Sequence, residues 1–149
     1  MKYLMTLFLV ITTALTFGQK NVDFRLLYNS WTEGKIDQNG KVIQADIKRS
    51  GWRFLDINSD TTVVFKGSFD CGFGHERHGM WTLNTVDTTV TFSFTKKVSY
   101  ENTPKTAYIN EKETYKIEKV TADELILTRI IDGKEWKTPF IKTEKQRQK

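Results

Sequence analysis

The alternation of apolar and polar residues between Asp56 and Phe94 restricts the fold more than any other feature of the chain. Val63, Phe65 and Phe69 alternate with Thr62, Lys66 and Ser68; Trp81 and Leu83 flank Thr82; Val90, Phe92 and Phe94 alternate with Thr89, Thr91 and Ser93. A period of two belongs to β-strands with one buried face, so this stretch reads as an antiparallel meander with a wall of rings on one side. The wall needs a core to face.

The same pattern continues in both directions. Strands are expected at Trp31–Asp37, Trp52–Ile57, Thr61–Phe69, Met80–Asn84, Thr88–Val98, Tyr108–Val120, Leu125–Ile131 and Lys134–Ile141. Asn39-Gly40, Asn58-Ser59-Asp60, Val86-Asp87, Thr121–Glu124 and Asp132-Gly133 are turn signals between them. Longer connections are expected at 70–79, with Gly72, Gly74 and Gly79, and at 99–107, with Pro104. In an up-and-down meander successive connections alternate between the two ends. The turns at 58–60, 85–87 and 121–124 then pinch one end, while the longer connections leave the other open. With Val42–Ile47 outside the barrel and over the open end, eight strands remain and Trp31 begins at the pinched end.

With 149 residues the chain is the length of one domain. Met1–Gly18 has a basic start at Lys2, an apolar to weakly polar run from Tyr3 to Phe17, and small residues Thr16 and Gly18 where a signal peptidase reads them. The expected organisation is therefore a signal peptide at 1–18, a barrel at 19–142 and a charged tail at 143–149. The apolar run is shorter than the roughly 20 residues of a membrane span. A soluble, exported, periplasmic or secreted monomer is the expectation. The formal charge of +5 becomes +4 without Lys2, and Lys142, Lys145, Arg147 and Lys149 concentrate it at the end. Export argues against nucleic acid as the partner of that tail.

Eight meandering strands after a signal peptide, a Trp opening the first strand, a long first loop and a pinched opposite end resemble the lipocalins. Trp31, Gly79-Met80-Trp81-Thr82-Leu83, Thr88–Phe94, Tyr115-Lys116-Ile117 and Leu125-Ile126-Leu127 are similar to the lipocalin-like domains of secreted bacterial proteins. The resemblance covers nearly the whole chain after Gly18. It departs at Asn29, where the family signature has Gly two residues before the Trp, and at Lys142, the nearest match to the family's basic residue over that Trp. It implies an all-β, eight-stranded antiparallel up-and-down barrel, and chiefly a binder rather than a catalyst.

Inward positions are assigned to Trp52, Phe54, Phe65, Phe69, Trp81, Phe92, Phe94, Tyr115 and Trp136. Of these, Phe54, Phe65, Phe69, Trp81, Phe92, Phe94 and Tyr115 are the candidates for lining a ligand site. An eight-stranded barrel is just wide enough to be filled by its side chains or to hold one small ligand, and Gly67 on the inward phase either leaves space at mid-strand or marks a bulge. His75, Arg77, His78, Lys96 and Lys97 are the candidates for a cationic rim, one that suits an anionic head on an apolar body. The 70–79 stretch also holds the single cysteine and both histidines. Cys71, His75 and His78 carry zinc-ligand chemistry, but His-x-x-His with one Cys lacks the two separated pairs of a structural site. A Cys-His nucleophile would need an oxyanion donor and an orienting group. Phosphate loops and nucleophile elbows are absent from the sequence.

The sequence therefore points to a non-enzymatic binder of a small apolar or amphipathic molecule, without a cofactor. The alternatives are a filled barrel acting as an envelope interaction protein, and a metal-binding protein using the Cys71–His78 loop.

Overall fold

In the computed structural model, residues 22–45, 52–68, 74–101 and 103–143 are described. Nine strands follow a short 3-10 helix at Phe24–Leu27: β1 Ser30–Ile36, β2 Val42–Gln44, β3 Trp52–Ile57, β4 Thr62–Ser68, β5 Gly74–Asn84, β6 Thr89–Tyr100, β7 Pro104–Val120, β8 Glu124–Ile131 and β9 Lys134–Lys142. Each pairs antiparallel with its neighbour, β2 is left out of the circuit, and β1 pairs with both β3 and β9. The result is a closed, eight-stranded, antiparallel up-and-down barrel. Among the described residues no helix is long and apolar enough to cross a membrane.

Cross-strand register shows which residues share the interior. One row runs Ile57, Val63, Gly79, Phe94 and Glu111 across β3 to β7. Trp81, Phe92 and Glu113 follow one step toward the pinched end, and Leu83, Val90 and Tyr115 two steps. The buried cluster is built from this phase: Trp31, Leu55, Ile57, Val63, Trp81, Val90, Phe92, Phe94, Ile117, Leu125, Leu127 and Phe140.

The pinched end is closed by the 3-10 helix. The Asp23 carboxylate accepts the Arg25 amide at its start, and Leu27 is fully buried beneath the barrel. The Trp31 indole N–H donates to the Leu27 carbonyl at 3.1 Å, and the Trp81 indole N–H to the Asn58 carbonyl at 2.9 Å. Both indoles can be buried because each polar handle has found a partner. Lys142 stands directly opposite Trp31 on β9.

At the open end three expectations are corrected. The stretch around His75 is strand, since β5 begins at Gly74. The expected 99–107 connection shrinks to three residues between Tyr100 and Pro104, because Pro104 takes the first position of β7, where a missing N–H is tolerated. Val42–Gln44 lies outside the barrel as expected, paired with Gly34–Ile36, but not over the open end. The Val42 amide donates to the Glu124 carboxylate at 3.0 Å, at the start of β8 and hence at the pinched end. That carboxylate, which also accepts from Lys119, fixes the β1–β2 hairpin against β8 and β9. Ala45 is the last described residue there, so Asp46 and Ile47 lie outside the described residues.

Asp132 and Gly133 have φ of +51° and +74°, the left-handed pair that a two-residue hairpin with the strand twist requires. The β7–β8 pairing stops at Lys116 and Thr128, so from Pro104 to Tyr115 β7 is paired with β6 alone.

Candidate functional site

The inward phase that carries rings near the pinched end carries charges near the open end. On β3 it takes Ile57 and Leu55 and then Arg53; on β5 it takes Leu83, Trp81 and Gly79 and then Arg77 and His75. β6 has an irregularity after Phe94 that places Lys97 opposite Arg77. β7 contributes Tyr115, Glu113 and Glu111, β8 Arg129 and β1 Glu33.

Arg77 is at the centre. Its guanidinium lies over the Phe94 ring at 4.3 Å and the Phe65 ring at 4.8 Å, so the cation is held by two aromatic faces. Its edge donates to Glu113 Oε1 at 3.0 Å, to Glu113 Oε2 at 3.4 Å and to Glu111 Oε2 at 2.9 Å. Glu113 also accepts the Tyr115 hydroxyl at 2.8 Å and is 3.1 Å from Arg129, whose guanidinium is 5.8 Å from the Tyr115 ring. Burial pushes the Glu113 carboxyl up, but the bonds from Arg77 and Tyr115 and the two guanidinium charges outweigh it and hold it below the usual carboxylate range. Tyr115 is pushed up to about 12 by burial and by the Glu113 charge. At neutral pH this is an ionised carboxylate held by two cations and a neutral phenol.

Beside this cluster is a cavity of about 80 Å³. Its apolar walls are Leu55, Phe65, Phe92, Phe94, Leu127 and Phe140, and its polar walls are Glu33, Arg53, Glu113, Tyr115 and Thr138. The Glu33 carboxylate is 3.4 Å from Arg53 Nη1, close enough for an ion pair, yet its buried Oε2 has no hydrogen bond. Burial raises the Glu33 carboxyl above its ordinary value, and Arg53 only partly offsets this. Arg77 Nε is also buried without a partner among the described residues. The cavity thus presents an apolar floor and, at Glu33, a wall with spare polar capacity.

The residues expected to line a site divide as follows. Phe65, Phe92, Phe94 and Tyr115 line the cavity, while Trp81 is in the packed core beneath it. Phe54 is corrected to the outer face: Leu55 and Ile57, the alternate phase of β3, are the buried residues. The sequence favours Phe54 because the rings Trp52 and Phe54 flank a charged Arg53, which shares the phase of Leu55 and Ile57. Trp136 is on the inward phase but 58% exposed at the open end. Phe69, Cys71 and the Trp52 side chain lie outside the described residues.

The expected rim is split by the strand period. His75, Arg77 and Lys97 are on the inward phase; His78 and Lys96, opposite each other, are on the outer face. His78 is 3.1 Å from Glu76 there. Opposite faces also keep His75 and His78 from sharing a metal, and among the described residues no cluster of three metal-binding side chains occurs. Glu33, Arg53, Glu113 and Arg129 were missed by sequence reasoning. The available signal was register: Glu111, Glu113 and Tyr115 share a phase with Ile117, and Arg129 with Leu127 and Leu125.

Comparison with protein-family models, with curated proteins and with solved structures finds no match to this chain. The fold and the site define a closed β-barrel with an apolar half, an ion-paired half and a small cavity where the two meet.

Proposed function

We propose that this is a lipocalin-like barrel that binds a small amphipathic molecule at its open end. The observation that carries the reading is the cavity, whose walls are aromatic and aliphatic on one side and charged on the other, the composition expected of a ligand pocket. Its size limits the ligand. One water needs roughly 10–15 Å³ of such space, so 80 Å³ admits a single ring or a short chain rather than a long acyl tail. The reading includes export, from the apolar leader at 1–18, and a carrier role without chemistry at Cys71.

The test is thermal denaturation with hexanoate, hexanol, palmitate and retinol, on wild type and on Thr138→Phe, which fills the cavity. A ligand at 100 times its Kd adds about 2.7 kcal/mol to the folded state. Six-carbon compounds should raise the wild-type Tm and leave that of Thr138→Phe unmoved. No shift with any compound, or equal shifts in both proteins, would refute the reading.

A second reading, an interaction module, is favoured by the free edge of β7 and by the exposed Tyr108 and Ile130 beside it, at 90% and 74% exposure. It predicts that Tyr108→Lys with Ile130→Lys abolishes recovery of a partner from envelope extract without changing ligand-induced shifts.

A further inference from the structure

We propose that the barrel mouth recognises a carboxylate, held between Lys97, Arg53 and His75, on the small amphipathic ligand whose body enters the cavity. The proposal rests on the ligand-binding reading above and names the chemistry of its head group.

Two adjacent rows of the sheet carry the argument. The first runs Arg53, Gly67, His75 and Ser99 from β3 to β6; the second, one step deeper, runs Leu55, Phe65, Arg77 and Lys97. Directly opposed side chains of an antiparallel pair are about 5 Å apart at Cβ and diagonal ones about 7–8 Å. Lys97 is therefore opposite Arg77 and diagonal to His75. Arg53 is two strands from His75 across Gly67, which has no side chain to separate them. The His75 ring fills that place: a Cβ on Gly67 would stand 2.9 Å from His75 Cε1.

Like charges directly opposite each other on one face destabilise a sheet, and Arg77 opposite Lys97 is such a pair. The described acids nearby are engaged by arginines and leave Lys97 without an ion-pair partner among the described residues. Glu113 is occupied by Arg77, Arg129 and Tyr115, Glu111 by Arg77, and Glu33 faces Arg53. Lys105, opposite Ser99 at the end of the upper row, is 3.9 Å from Glu101, so Arg53, Arg77, Lys97, Lys105 and Arg129 confront Glu33, Glu101, Glu111 and Glu113, five cations against four carboxylates. Of these described mouth residues, Lys97 is the cation that is in no ion pair. One excess positive charge suits a monoanion.

His75 reports the same field. Burial and the charges of Lys97, Arg77 and Arg53 depress its pKa, and Glu111 is the acid that opposes them. Gly67 and Ser99, which flank it on β4 and β6, carry no charge. An anion at this position would offset the three cations and favour the imidazolium. Arg53 lines the cavity and lies on the upper row, so a head beside Arg53 leaves the body facing Phe65, Phe92 and Phe94.

The experiment is calorimetric titration of hexanoate, hexanol and hexylamine into wild type, Lys97→Gln and Lys96→Gln, with His75 and His78 titrated by NMR. Lys96 carries the same charge on the outer face and controls for a general electrostatic effect. Hexanoate should bind wild type most tightly, and Lys97→Gln should weaken it about tenfold, the factor one charge-assisted contact carries. Hexanol binding should be unchanged in both variants, and Lys96→Gln should bind hexanoate as wild type does. Saturating hexanoate should raise the His75 midpoint and leave that of His78 on the outer face unmoved. Equal binding of hexanol and hexanoate, a preference for hexylamine, or equal effects of the two lysine variants would overturn the carboxylate proposal while the cavity reading stands. Binding of none of the three compounds would overturn both.

Discussion

Glu113→Gln is the substitution that probes the charged half of the barrel most directly. It preserves volume and one carbonyl oxygen but removes the charge that Arg77 and Arg129 share. The Arg77 and Glu113 side chains are only 14% and 16% exposed, so water can replace little of what is lost. Removing one partner of a buried pair typically costs about 3–5 kcal/mol, because the other charge remains buried. Here Arg77 keeps Glu111, and Arg129, at 32% exposure, can turn toward solvent, so the lower end of that range is expected, about 3 kcal/mol. In a domain of this size that corresponds to a fall in Tm of roughly 10 °C.

Urea denaturation at neutral pH of wild type, Glu113→Gln, Arg77→Met and the double variant measures it. The double variant should be more stable than the sum of the singles by about 1–3 kcal/mol, since Met between Phe65 and Phe94 leaves no orphaned cation. The depressed Glu113 carboxyl supplies stability that is present above its unfolded value of 4.5 and lost as pH falls through its folded one. Glu113→Gln should therefore lose less stability in acid than wild type does. A loss below about 1 kcal/mol at neutral pH, or strict additivity in the cycle, would refute a buried, coupled pair.

Three further outcomes follow from single positions. Gly79→Ala should destabilise strongly or prevent folding, because its Cβ would stand 2.0 Å from the Ser93 carbonyl oxygen and 2.7 Å from Phe94 Cα, both backbone; soluble yield and chemical denaturation test it. Glu33→Gln should raise the Tm at neutral pH: a carboxyl raised by burial opposes folding above its folded pKa, and the gain should vanish as pH falls toward the unfolded 4.5. His75→Gln should flatten the loss of stability on acidification below about 6.5, since an imidazole depressed in the fold is protonated first in the unfolded chain; stability measured at neutral and acid pH reads the slope.

The barrel interior is legible in the sequence where side chains obey a two-class pattern and hidden where they do not. From Val63 to Phe94 the inward residues near the pinched end are apolar and their neighbours polar, so the phase was legible and Phe65, Trp81 and Phe92 share the inner face. At His75 to Arg77 and at Arg53 the inward residues are charged. There a period of two in hydropathy no longer marks the interior, and the strand looked like a loop. Phe54 reads as inward for the same reason: with Arg53 on the buried phase, the ring is the more apolar neighbour. The β6 irregularity after Phe94 has no hydropathy signature, yet it is what sends Lys97 inward and Lys96 outward.

That irregularity also explains how one barrel can have two kinds of interior. If Thr95 were paired in regular register instead of bulged, the even phase of Val90, Phe92 and Phe94 would continue inward through Lys96 and Val98, and Lys97 would face solvent. Instead the phase changes at the level where Arg77 covers the Phe65 and Phe94 rings. A bulge re-aims the side chains beyond it. Its effect here is to begin the charged half one residue above the last buried ring, with Arg77 at the boundary satisfying both sides: rings against its faces, carboxylates at its edge. Deleting Thr95 removes the extra residue and leaves Phe94 opposite Gly79, Lys96 opposite His78 and Lys97 opposite Arg77 on β5. In the deletion variant hexanoate affinity should therefore stay sensitive to Lys97→Gln and insensitive to Lys96→Gln. An exchange of the two sensitivities in a folded deletion variant would show that Thr95 is not the residue the bulge leaves unpaired.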